Sequence, residues 1–281
     1  MALAWPETYC KTTSSWYDRV TKTTGHLTNG YYMAGHAAIL LIEKDSGKCS
    51  YYDFGRYHAP FMNGRVRSAA SDHELTVVSI AKISYSGKNV DNLDEILQEL
   101  QANESCHGDG TLYASLSEID FETANSKADQ MQQASPIPYG PFIPKGTNCS
   151  RFVNSVLLAG KPKFTTSFKL RTLMPLTPSP MSNVRANGEK IIIPAVRPGV
   201  HPYSEYCPGK KFFKTTLPAP EQPSSLPSNS KWISGEGSGS WFTYEKPEAA
   251  GIFRYTPNGE LESKMDSEIF HKYWGKIIAG R

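Results

Sequence analysis

Two short strings carry the residues with the most chemical potential. Gly35-His36-Ala37-Ala38 opens an apolar run, and Gly146-Thr147-Asn148-Cys149-Ser150-Arg151-Phe152 opens a stretch with helical spacing. A Cys on the first turn of a helix lies at the positive end of the helix dipole. Free backbone N–H groups there favour the thiolate and can hold the oxyanion of a tetrahedral intermediate. A His among small residues at a strand start keeps its ring accessible. A helix-start Cys facing a strand-start His is the arrangement of a cysteine hydrolase. The competing reading of Cys149 is a small buried packing residue, since free Cys is among the most buried types. Cys106-His107 is a weaker rival, because neighbours in a Gly- and Asp-rich loop rarely point at one another.

The elements that must position these residues follow from periodicity. Ala37 to Ile42 is a continuous apolar run suited to a strand buried on both faces, and Lys44 to Lys48 is turn chemistry. Cys49 to Phe54 is aromatic-rich and strand-like, so the two runs read as a β-hairpin. Leu75 to Tyr85 is rich in Val and Ile and reads as a further strand. Helices are expected over Asn92–Gln101, Phe121–Ala134 and Ser150–Ala159, the last stopped by Gly160. Residues 1–30 read as polar and irregular, with Trp5, Trp16 and Tyr17 as punctuation. Residues 174–230 hold many of the prolines and read as a surface excursion or linker, with Ile191–Ile193 strand-like. Phe253 to Ser263 reads as a hairpin around Pro257-Asn258-Gly259. The expected fold class is α+β, a small antiparallel sheet on helices. The expected divisions are a catalytic domain over 1–173, a Pro-rich segment over 174–230 and a β-rich extension over 231–281.

Composition narrows the function classes. The chain has 281 residues, 30 Lys+Arg and 27 Asp+Glu, a formal charge of +3. So weak a balance argues against a nucleic-acid partner. No run approaches the roughly 18 apolar residues of a membrane span, and no basic amphipathic helix stands out. The N-terminus lacks the basic and apolar regions of a standard secretory signal. Five widely spaced cysteines without Cys-x-x-Cys suggest neither a disulfide framework nor a zinc site. The expectation is a protein with no cofactor and no metal, either cytoplasmic or exported without a standard signal peptide. Asp72-His73-Glu74 has ligand composition but reads as an exposed turn, and Gly235-x-Gly237-x-Gly239 lacks the context of a phosphate loop.

The order of these motifs resembles the circularly permuted branch of the NlpC-type papain-like hydrolases, in which His precedes Cys, as in lecithin–retinol acyltransferase and its relatives. The strings Tyr52-Asp53-Phe54-Gly55-Arg56-Tyr57, Pro138-Tyr139-Gly140-Pro141-Phe142 and Asn148-Cys149-Ser150-Arg151-Phe152-Val153 also resemble a bacterial family found chiefly in Bacteroidetes. The resemblance covers residues 20–165. It implies a papain-like fold, a thiolate nucleophile at Cys149, a general base and acid at His36, and a third polar residue orienting the His. It further implies an acyl-enzyme and amide hydrolysis, a cell-wall-type peptide being one substrate class. Acyl transfer or lipid amidase work is the alternative enzyme reading, and a binding protein on a papain-like scaffold the non-catalytic one.

Hairpin register decides the third residue. With Asp45-Ser46 as the turn, Lys44 faces Gly47, and Asp53 lies diagonal to His36 on one face at roughly 7–8 Å. With a Ser46–Lys48 loop, His58 faces His36 instead. With Ser46-Gly47 as the turn, neither is close. Asp53 is preferred, because a carboxylate stabilises the imidazolium that a Cys–His ion pair requires. Tyr139, Arg65 and Arg67 are candidates for the substrate cleft, the arginines because they alternate onto one strand face and suit a substrate carboxylate.

Overall fold

The computed structural model describes residues 1–11, 27–28, 31–60, 62–87, 89–106, 108–140, 142–173, 178–195, 219–235, 238–244 and 252–278. Its strands are β1 (Ala2–Trp5), β2 (Tyr9–Lys11), β3 (Leu27–Thr28), β4 (Tyr31–Met33), β5 (His36–Ile42), β6 (Cys49–Gly55), β7 (Asn63–Arg67), β8 (Leu112–Ser115), β9 (Ile137–Pro138), β10 (Ile191–Ile193), β11 (Lys231–Gly235), β12 (Ser238–Tyr244), β13 (Ile252–Tyr255) and β14 (Leu261–Met265). Its α-helices are α1 (Leu93–Ala102), α2 (Phe121–Gln133), α3 (Cys149–Ala159), α4 (Phe164–Thr172), α5 (Pro180–Asn187), α6 (Ser267–Tyr273) and α7 (Gly275–Ile278). The architecture is α+β with antiparallel sheets. Two units form without following chain order. The first takes Met1–Asp53, Leu75–Ala128 and Cys149–Phe213. The second takes Phe54–Glu74, Asp129–Asn148 and Lys214–Arg281.

In the first unit, five strands lie in the order β10-β8-β1-β5-β6, every pairing antiparallel. The β5–β6 hairpin has the register that puts Ala38 opposite Asp53. Its tip differs from a two-residue turn. Glu43 and Lys48 still pair, and Gly47, at φ +70°, donates its N–H to the Glu43 carbonyl. Glycine suits this left-handed position because it has no Cβ to clash. The central strand β1 falls in a region read as irregular. Its four residues are fully buried between β5 and β8, and so short an apolar run gives little periodicity to read. One sheet face carries Leu3, Trp5, Ala38, Leu40 and Tyr51 against Ile96, Leu97 and Leu100 of α1. Helix α3 packs on β5, and α5 packs on β1 and β8.

Two other expectations change. The stretch from Leu75 to Tyr85 is no regular strand. Val78 and Ser79 donate their backbone N–H to the Glu99 carboxylate, and Ala81 to the Gly47 carbonyl. Backbone groups satisfied by a side chain and a loop have no ladder left to make. Only an isolated bridge, Ile83 to Val90, remains. The Pro-rich stretch contains a regular helix as well as β10. Ser179 caps α5 by accepting from the Ser182 N–H, with Pro180 in the first turn, where its missing N–H costs nothing.

In the second unit, β7 pairs with β9, and β11-β12-β13-β14 form an antiparallel meander. The β13–β14 hairpin turns at Thr256–Glu260, with Gly259 at φ +87°. Phe242, Phe270 and Trp274 anchor the core beneath this sheet. Beside it sits a buried ion cluster. The Arg65 guanidinium makes a two-pronged contact with Asp72 at 2.6 Å on both arms and lies 4.1 Å from the Trp274 ring centroid. Arg254 reaches Asp72 at 3.1 Å, Glu74 at 2.5 Å and Glu262 at 2.8 Å. Burial disfavours the Asp72 charge, but Arg65, Arg67 and Arg254 outweigh it and hold its carboxyl below the usual carboxylate range. Asp72 is therefore a buried hub rather than part of an exposed turn. Arg65 and Arg67 are 1% and 2% exposed rather than solvated.

Removing one partner of a buried pair strands the other's charge. Asp72→Ala is expected to cost about 3–5 kcal/mol of unfolding free energy, measured by guanidinium denaturation, and Arg65→Met less, since Arg254 still neutralises Asp72. Because the folded-state pKa of Asp72 is depressed, its contribution is complete above the unfolded value near 3.9 and is lost as pH falls through the folded value. Equal losses from the two variants would count against the hub.

Candidate active site

Trp5 faces His36 across the β1–β5 ladder, and His36 opens β5 just after Gly35, at φ +73°. On the neighbouring strand, Asp53 and Tyr51 lie on the same face, two residues apart. The His36 Nε2 is 3.3 Å from Asp53 Oδ2. The same carboxylate oxygen accepts from the Tyr51 hydroxyl at 3.1 Å. Cys149 is the first residue of α3, and its thiol lies within interaction range of the His36 side chain and the Ala37 backbone. With Nε2 on Asp53, Nδ1 is the nitrogen left for sulfur. Carboxylate, imidazole and thiol thus stand in series. Asp53 is fully buried, His36 5% exposed and Cys149 8% exposed.

The electrostatics follow from this geometry. Burial alone would lower the His36 pKa, but hydrogen bonds and charge from Asp53 and Cys149 overcome it and raise the value to about 9. Burial alone would raise the Cys149 pKa, but the His36 hydrogen bond and charge, with Ser150 and the Ala37 backbone, bring it below its ordinary value. Both directions favour a thiolate–imidazolium pair, and the N-terminus of α3 adds its dipole to the same effect. Asp109 stands within electrostatic reach of His36, its own carboxyl raised by burial more than His36 lowers it.

Other residues fix the imidazole. The Trp5 indole stacks on the imidazole at 5.9 Å between centroids and 27° between planes. Its own N–H donates to Gln101 Oε1 at 2.7 Å. Gly108 lies so close to that indole that a Cβ would come within 2.3 Å of it. Trp5 and Tyr51 escape a reading that looks only for nucleophile, base and acid. Tyr51 has a signal, since residues two apart on a strand share a face. Trp5 has none without knowledge of β1.

The remaining candidates lie elsewhere. His58 is in the second unit, where its Nε2 is 3.1 Å from Ser240 Oγ and its ring meets Trp274 edge-on at 5.8 Å. Burial first, then Arg65 and Arg254, push its pKa well below the ordinary value. The register that would set it opposite His36 is not the one formed. Tyr139 stacks on Phe54 at 5.7 Å under the Arg56 guanidinium, also in the second unit. Arg65 is bound to Asp72, and Arg67 lies 4.0 Å from the Tyr57 ring centroid, so both charges are engaged inside that unit. Cys106 is 1% exposed in the apolar cluster under α1, and His107 lies outside the described residues. Cys10, Cys49, Cys106 and Cys149 are free thiols. Among the described residues no cluster of His, Cys, Asp and Glu has the spacing of a metal site, and no helix is long and apolar enough to cross a membrane.

An α+β unit carrying a buried acid, a base and a thiol on adjacent elements has the constellation of a nucleophilic cysteine site. The chain belongs to the family described as type VI secretion system effector TseH-like, whose model matches residues 1–165. It is also similar to the crystal structure of the type VI secretion system effector TseH, with 19% identity, a TM-score of 0.44, and coverage of 69% of this chain and 91% of that one. No curated protein matches.

The pH dependence of Cys149 alkylation reads this array directly. The midpoint is expected below the usual thiol value of about 8.5. His36→Ala should return it toward that value. Asp53→Asn should move it up by at least about one unit, since the carboxylate charge is what favours the imidazolium. Tyr51→Phe should move it less. The raised His36 pKa also stabilises the fold fully below about 6.5, a contribution lost as pH rises through about 9. Identical midpoints in all four proteins would mean that Cys149 is a packing residue.

Proposed function

We propose that the chain is a cysteine hydrolase cleaving an amide bond through Cys149, His36 and Asp53, on a papain-like fold in permuted order. The observation that carries this reading is the buried His36–Asp53 pair, 3.3 Å apart, with the Cys149 thiol at the start of α3 in interaction range of the same imidazole. In the acylation step the thiolate attacks the amide carbonyl carbon, and backbone N–H groups at the start of α3 receive the developing oxyanion. The C–N bond breaks as the His36 imidazolium passes its proton to the leaving amine. Neutral His36 then takes a proton from water, whose oxygen attacks the thioester. The acid product leaves, and thiolate and imidazolium are restored. Asp53 holds the ring in line throughout, and Tyr51 holds Asp53.

The substrate class we favour is a bacterial cell-wall peptide. Membership of an effector family supports this, because a type VI secretion machine would deliver the chain to that polymer without a standard signal peptide. The test is digestion of purified peptidoglycan, with fragments identified by mass spectrometry. The native protein is expected to release new amine and carboxyl ends. Cys149→Ala and His36→Ala should each lose at least about 10³-fold in turnover, and Cys149→Ala should do so with its fold intact. A Cys149→Ala protein that cleaves as fast as the native one would sink the mechanism. An active-site thiol that alkylates readily without any cleavage would leave the nucleophile and reject the substrate.

A further inference from the structure

Helix α4 presents a surface unlike the rest of the first unit. Phe164 is 82% exposed and Phe168 50%, and their rings stack at 6.4 Å. Leu173, which follows the helix, is 67% exposed. At 3.6 residues per turn the two phenylalanines lie about 40° apart on one face. Arg171 lies about 20° to one side of them and Lys169 about 100° to the other, both exposed, while Leu170 turns inward at 2% exposure. Lys163, at the N-terminal end of the helix, is exposed as well.

The charge around this pair has one sign. Residues 149–188 contain six Lys or Arg and no Asp or Glu. Lys161 lies within electrostatic reach of Asp120 and is set aside. Lys163, Lys169, Arg171 and Arg185 are all exposed and are in no ion pair among the described residues. The chain as a whole carries only +3, so this stretch is locally more positive than the chain because it lacks acids. The cations alternate with Thr and Ser rather than clustering, which is why the sequence pattern does not announce a basic amphipathic helix.

Exposed aromatics on a helix whose own segment carries cations and no acid fit an anionic lipid surface. Apolar rings gain by entering the boundary between headgroups and acyl chains, and Lys and Arg gain against lipid phosphates. An exposed stacked phenylalanine pair offers nothing to a purely electrostatic partner. We propose that the exposed face of α4 docks on an anionic phospholipid bilayer, with Phe164 and Phe168 inserted and Lys163, Lys169 and Arg171 against the phosphates. This inference is independent of the chemistry at Cys149.

The experiment is sedimentation of the full chain with vesicles of phosphatidylglycerol and phosphatidylcholine, against vesicles of phosphatidylcholine alone. Partition into the anionic vesicles is expected, weakening as salt screens the cations. Phe164→Ser with Phe168→Ser should reduce it by about ten-fold, and Lys169→Glu with Arg171→Glu by at least as much. Both double variants should keep the native melting temperature and Cys149 alkylation rate, because the altered side chains are exposed. Equal partition into both vesicle types, or no partition, would overturn the proposal. So would anionic-vesicle binding that the serine pair leaves unchanged. Binding to polyglutamate as tight as to the anionic vesicles would reassign the surface to an acidic protein.

Discussion

The His36–Cys149 arrangement rests on one carboxylate kept fully out of water. Asp53 has no exposure, and two donors, His36 and Tyr51, converge on one of its oxygens. An unpaired carboxylate in that position would neutralise itself by taking a proton. Paired with the imidazole, it instead fixes a positive ring next to sulfur. Burial works against both charged partners, and the mutual attraction of carboxylate, ring and thiol outweighs it. The sheet supplies the precision. Asp53 meets His36 because β6 lies beside β5 in one register, and a one-residue slip would turn the carboxylate to the opposite face.

The second unit uses buried charge to another end. Around Asp72, guanidinium groups satisfy carboxylates, Trp274 covers one of the guanidiniums, and the Ser71 hydroxyl donates to the same carboxylate. Both clusters contain acids, bases and aromatic rings, and composition alone does not separate them. What separates them is the strength of the cation. Arginine holds its proton under any physiological condition, so the Asp72 cluster is fixed in charge. Histidine can gain and lose one, so the Asp53 cluster can pass a proton.

The readable parts of the sequence were those where a local signal matched the global fold. The hairpin from His36 to Gly55 shows its apolar run, its turn and its aromatic run in adjacent residues, and α3 shows its stripe and its glycine stop. Asp53 was within reach of the same reasoning once the register was chosen. The strand β1 was not, because four residues give no period and its partners come from distant parts of the chain. Leu75–Tyr85 misled for the opposite reason. Its β-branched composition is strand-like, but Glu99 takes the donors that a strand would use. The arginines of β7 alternate as expected, yet alternation says nothing about what lies opposite. Asp72, seven residues beyond Arg65, was the acid to find.

The interleaving of the two units has a consequence for biosynthesis. Each unit takes three separate pieces of the chain, and each ends in the C-terminal half. As the ribosome releases the protein, the strand bearing His36 emerges long before the helix bearing Cys149, and the pieces that follow Lys214 emerge last. Long-range pairings of this kind form slowly, since loop closure must precede the contacts that reward it. A nascent or truncated chain therefore holds His36 and Asp53 without Cys149. The complete array of thiol, imidazole and carboxylate exists only when synthesis has passed α3.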